Sequence, residues 1–98
     1  AYSSALNNKG LILQEQAKYA DAEKQYTKAL DLIKHIKDNG TLLATTYSNL
    51  AFVRYAVGDK SAAVKFMDSA LELFESGKLS TKSPMYKQCL LIRTKMSV

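Results

Sequence analysis

Residues 17–32 read AKYADAEKQYTKALDL, and residues 58–73 read GDKSAAVKFMDSALEL. Laid over each other at an offset of 41, they pair Ala22 with Ala63, Lys24 with Lys65, Ala29 with Ala70, Leu30 with Leu71 and Leu32 with Leu73. Upstream the same offset pairs Asn8 with Asn49, Ser4 with Thr45, Gly10 with Ala51 and Ile12 with Val53. The chain therefore carries an internal repeat, and each copy should be one structural unit that buries its apolar face against the next.

Within the first copy Ala22, Tyr26, Ala29, Leu30 and Ile33 recur at spacings of three and four, as do Ala63, Met67, Ala70, Leu71 and Phe74 in the second. That is the pattern of an amphipathic helix. The stretches before them also have helical spacing, through Leu6, Gly10 and Leu13 and through Tyr47, Leu50, Ala51 and Arg54. Each copy is thus a helix pair. Ala17-Lys18-Tyr19 and Gly58-Asp59-Lys60 form the turns inside the pairs, while Asp38-Asn39-Gly40 and Glu75-Ser76-Gly77 close the second helices. Ser83-Pro84 opens a fifth helix, with Ser as N-cap and Pro at the first helical position. The expected helices are 2–16, 19–37, 42–57, 60–76 and 84–96.

The small residues at Gly10/Ala51, Ala22/Ala63 and Ala29/Ala70 mark places where helices cross closely. Leu6/Tyr47, Tyr26/Met67 and Leu30/Leu71 fill the grooves beside them. This order of large apolar, small, aromatic, Ala, aromatic, Ala resembles the tetratricopeptide repeat. The matching residues are Leu6, Gly10, Tyr19, Ala22, Tyr26 and Ala29, then Tyr47, Ala51, Ala63, Met67 and Ala70. The resemblance implies an all-α fold, an α-solenoid of antiparallel helix pairs in a single domain or fragment over 1–98. Repeat one covers about 2–40, repeat two about 41–77, and a C-terminal helix about 84–96.

The period exceeds the usual ~34 residues, and the extra length falls in Ile33 to Asn39 as two further helical turns. With Leu6-Asn7-Asn8 and Ser48-Asn49-Leu50-Ala51, the longer period is similar to that of the subclass found in kinesin light chains and spindle adaptors. Lys9 and Lys60 depart from the family pattern, at sites where it favours an apolar residue and Tyr.

Composition narrows the function classes. With 47% apolar residues, four Gly and one Pro in 98 residues, the chain is an ordinary globular domain with a thin core. The lone Cys89 and lone His35 leave no disulfide and no Cys/His metal cluster. His35 reads as an exposed helix residue, and Glu15, Asp21 and Glu23 as helix-end or solvent-face carboxylates, so no catalytic constellation emerges and no cofactor is implied. No apolar run is long enough for a membrane span and no signal core opens the chain. The start at AYSS, without Met, suggests an excised or processed segment, with the cytoplasm as the default compartment.

The resemblance implies a protein–protein interaction module that binds a peptide or helical segment on a concave face lined by the first helix of each pair. It places Ser4, Asn7, Asn8, Leu11 and Gln14 there from repeat one, and Thr45, Ser48, Asn49, Phe52 and Tyr55 from repeat two. The fifth helix adds Tyr86, Cys89 and Arg93. The amides of Asn8 and Asn49 can grip a peptide main chain whatever its side chains, and Leu11, Phe52 and Tyr55 supply apolar contacts. The clamp that holds acidic chaperone tails is missing, since Asn7, Leu11, Tyr86 and Leu90 occupy its sites and only Asn49 matches.

Two rivals remain at this level: a peptide-sensing regulatory domain of a larger signalling or transcription protein, and a basic helical-repeat binder of nucleic acid. The latter draws on the net charge of +5 and on Lys78, Lys82, Lys87, Arg93 and Lys95, which follow Glu75 without an acidic residue. The apolar Met85, Cys89, Leu90, Leu91, Ile92 and Met96 further suggest self-association through the fifth helix.

Overall fold

A computed structural model describes residues 2–37, 39–77 and 79–96, with side chains from Asn7 onward. Among these residues it has five α-helices and no strand: α1 (Tyr2–Glu15), α2 (Tyr19–Ile33), α3 (Gly40–Ala56), α4 (Lys60–Glu75) and α5 (Pro84–Met96). The all-α helical-repeat fold expected from the periodicity is the fold observed. Each helix packs chiefly on its chain neighbours, α1 on α2, α2 on α3, α3 on α4 and α4 on α5, giving a slab of 35 × 33 × 19 Å.

α1 and α3 end in the same way, 41 residues apart. Ala17 N–H donates to Gln14 C=O at 3.0 Å and Lys18 N–H to Leu13 C=O at 2.9 Å; Gly58 N–H donates to Tyr55 C=O at 3.1 Å and Asp59 N–H to Arg54 C=O at 2.8 Å. This paired closure requires a left-handed residue at its corner. Gly58 takes it at φ 91°, where glycine has no penalty, but Ala17 takes it at φ 60° and carries a strained methyl. The copies differ at the next position too. Asp59 caps α4 by accepting from Ala62 N–H at 3.1 Å, whereas Lys18 before α2 has no acceptor to offer.

α2 is shorter than its sequence pattern predicts. It ends at Ile33 rather than at residue 37, so the extra length of the repeat is a turn and not two helical turns. His35 N–H bonds Leu32 C=O at 3.2 Å and Ile36 N–H bonds Ile33 C=O at 3.0 Å, both tightened by one residue from the helical pattern. Asn39 Nδ2 also donates to the Ile33 carbonyl at 2.9 Å. Asn39 thereby closes α2 with its side chain while standing at the N-cap of α3, and Gly40 begins α3 rather than ending α2. Asp38 and Lys78, and the side chains of Ser4 and Leu6, lie outside the described residues.

Ala22, Ala29, Ala44, Ala51, Ala63 and Ala70 are all wholly buried, as helix crossings at short range require. Gly10 is the extreme case: a Cβ there would sit 2.4 Å from Cε1 of Tyr26, so the ring lies directly on the α1 backbone. In the second copy Ala51 and the flexible Met67 replace this pair within one core cluster. Among the described residues three clusters make up the core, and α3 enters all of them. Ala44 and Ala51 share a cluster with Met67, Phe74 and Met96, Leu50 and Val53 share one with Ala22 and Tyr26, and Leu42 and Leu43 cover Ala29 and Ile33.

Candidate functional site

The end of α1, the inner face of α3 and one face of α5 enclose a half-open cleft of about 250 Å³. α1 contributes Gln14 and α3 contributes Thr45, Ser48, Asn49 and Phe52. From α5 come Met85, Gln88, Cys89 and Ile92. α3 and α5 reach the cleft because each presents residues three, four and seven apart, one stripe of a helix surface.

The polar groups of the cleft are held from behind. Tyr26, fully buried in the core, donates its hydroxyl to Gln14 Oε1 at 3.0 Å. Burial pushes the Tyr26 phenol up to about 12, so it is protonated and available as a donor at neutral pH. With its oxygen engaged, Gln14 has its amide hydrogens left to offer. Ser48 Oγ and Cys89 Sγ lie 3.4 Å apart and join α3 to α5 across the floor, where Cys89 is 3% exposed. Asn49 Nδ2 is closed off from solvent and has no hydrogen-bond acceptor. An orphaned amide donor of this kind costs about 1–3 kcal/mol relative to a satisfied one.

Of the residues that the sequence placed on the binding face, Gln14, Ser48, Asn49 and Phe52 come together here, along with Thr45 and Cys89. Asn8, Leu11 and Tyr55 are exposed beyond the cleft. Asn7 is not on the face at all. It is 5% exposed and donates through Nδ2 to Thr46 Oγ1 at 3.1 Å, while the Thr46 hydroxyl donates to Leu42 C=O at 2.8 Å. Asn7 is thus a buried brace between α1 and α3.

Two α5 assignments also need correction. Arg93 Nε donates to Asp68 of α4 at 2.7 Å, which draws the cation away from the cleft. Tyr86 packs on Phe74, with ring centroids 5.3 Å apart, and its hydroxyl meets Glu75 Oε2 at 3.4 Å. Both residues lie on the side of α5 turned toward α4, where packing and opposite charge outweigh exposure to the groove. Met85, Gln88 and Ile92 were the residues missed. The spacing of Met85 and Ile92 with Cys89 was visible in the sequence as an apolar stripe, but it marks a packing face and a groove wall equally well, and the polar Gln88 gave no such signal.

A second hollow of about 300 Å³, lined by Leu43, Tyr47, Ser69, Glu72, Leu73 and Ser76, draws on α3 and α4 alone. A third, of about 120 Å³, adjoins the pair formed by Arg54 and Glu23, whose Nε and Oε1 are 2.6 Å apart and bind α3 to α2. Among the described residues no group of three His, Cys, Asp or Glu gathers in a way that could hold a metal ion, and no helix is long and apolar enough to cross a membrane.

The sequence model of the tetratricopeptide repeat matches residues 2–76, the span from the start of α1 to the end of α4. No curated protein and no solved structure matches the chain.

Proposed function

Because the chain belongs to the tetratricopeptide repeat family, whose repeats mediate protein–protein interaction, we propose that it is a non-catalytic module that holds a segment of a partner protein in the groove walled by α1, α3 and α5. One observation carries this reading: three helices separated in sequence converge on a single cleft. Stacked helix pairs commonly present such a groove to an extended or helical segment. Asn8 and Asn49, one repeat apart, supply amides for the main chain, and Leu11 and Phe52, also one repeat apart, supply an apolar stripe. The 41-residue period supports kinship with the longer-repeat subclass as part of this proposal.

The test is selection from a phage-displayed library of random dodecapeptides, followed by NMR amide shifts to locate the bound peptides. Binders should shift Ser48, Asn49, Phe52 and Cys89. Asn49→Ala combined with Asn8→Ala should weaken them while thermal stability stays within about 0.5 kcal/mol for the exposed Asn8. Peptides that bind while leaving these amides unmoved would refute the groove assignment.

Self-association through α5 is a second proposal, supported by Leu91 at 63% and Leu90 at 38% exposure. The patch is narrower than the sequence implied, since Cys89 and Met96 are buried and Met85 and Ile92 are half-buried.

A further inference from the structure

We infer that the groove recognises its partner through one uncharged, apolar side chain, carried on a segment whose main-chain carbonyls accept hydrogen bonds from the cleft. This rests on the groove reading above and adds the chemistry of the occupant.

The first support is what the cleft lacks. In a chain with 23% charged residues and a net charge of +5, no ionised side chain lines it among the described residues. Arg93, the arginine that the sequence placed on this face, is committed to Asp68 of α4. A charged side chain entering the cleft would give up its water and meet no counter-charge, an exchange that strongly disfavours it. The excess positive charge of the protein therefore lies outside the cleft, and an acidic partner residue belongs at the rim if anywhere.

The second support is what the cleft offers. Phe52, Met85 and Ile92 form apolar walls around the buried Cys89 thiol, and the sulfur-bearing side chains adapt to different apolar shapes. Its volume of about 250 Å³ lies below the ~300–1,000 Å³ typical of small-molecule and cofactor sites. One large side chain fits that scale better than a free ligand does.

The third support is the sign of the hydrogen-bonding groups. Tyr26 holds the oxygen of Gln14 and leaves its amide hydrogens to offer at the cleft wall. That amide asks for an acceptor, and an extended peptide presents main-chain carbonyls on either side of an anchoring residue.

The experiment starts from the peptides selected above. Each is resynthesised with every position changed in turn to Glu, Lys and Ala, and affinities are measured by fluorescence anisotropy. One position should emerge that carries Leu, Met, Ile, Val or Phe, and its change to Glu or Lys should lower affinity by at least about tenfold. Gln88→Glu, an exposed change that introduces a carboxylate into the wall, should weaken the same peptides and reduce the penalty for Lys at the anchor. Peptides that shift the groove amides but depend on an acidic or basic anchor would overturn this inference and leave the groove reading standing. A selection whose binders shift no groove amide would overturn both. A Gln88→Glu variant with an unchanged Leu-to-Lys preference would also count against it.

Discussion

Gly10→Ala is the sharpest test of how the helices are packed. Ala is the better helix former by about 1 kcal/mol, and the equivalent position one repeat later is already Ala51. Propensity and repeat comparison therefore both predict stabilisation, but the geometry predicts the opposite. The added Cβ would lie 2.4 Å from Cε1 of Tyr26 and 2.8 Å from Cδ1 and Cζ. The ring has nowhere to go, being wholly buried with its hydroxyl tied to Gln14. Overpacking of this kind costs about 1–3 kcal/mol, and an inflexible ring puts it in the upper half of that range. Less the propensity gain, the net loss is about 1–2 kcal/mol, or roughly 5–15 °C in Tm for a domain of this size. Thermal melts followed by circular dichroism read it directly. Tyr26→Met in the same background reproduces the second repeat and should relieve part of the cost, with a coupling of at least about 1 kcal/mol in the double-mutant cycle. A Gly10→Ala protein that melts at or above the parent temperature would show that the ring does not rest on α1 as described.

Other consequences are smaller. Ala17→Gly relieves a left-handed alanine where the second repeat already uses Gly58, and should raise stability by about 1 kcal/mol in urea unfolding. Tyr26 ionises at about 12 in the fold against an ordinary 10.0, so the unfolded chain loses that proton first. Its contribution to stability is complete below pH 10 and disappears as pH rises toward about 12, and urea midpoints across this window should fall more steeply for the parent than for Tyr26→Phe. If Leu91 mediates self-association, sedimentation should show concentration dependence that Leu91→Lys diminishes, and a strict monomer at near-millimolar concentration would remove α5 as a contact.

The fold was legible because its rules are local. Three-and-four spacing, small residues at crossings and Gly58 at a corner each act within a turn or two of helix, and a repeat states them twice. The end of α2 was not legible. Lys34 to Lys37 carry adequate helix formers, and what stops the helix is Asn39 reaching back to the Ile33 carbonyl together with the tightened turn. The groove was half legible. The family resemblance implies which face of α1 and α3 is inward, and four residues it names, Gln14, Ser48, Asn49 and Phe52, line the cleft. It cannot say that Asn7 meets Thr46 or that Arg93 finds Asp68, because those contacts depend on how neighbouring helices are rotated against each other.

The sharing of the core has a kinetic side. α3 enters every core cluster of the described residues, whereas α5 leans chiefly on α4 and enters one cluster, through Cys89 and Met96. Opening free energies within a domain follow such differences in anchoring, so hydrogen exchange should be slowest in α3 and faster in α5. The cleft thus has one wall on the helix that enters every core cluster of the described residues and the other on a helix that enters one. If α5 opens locally, apparent affinity falls by the fraction of molecules in which it is open. A ligand seated against both walls protects α5 from exchange, and a change at the α4–α5 seam far from any ligand contact alters binding through that fraction alone.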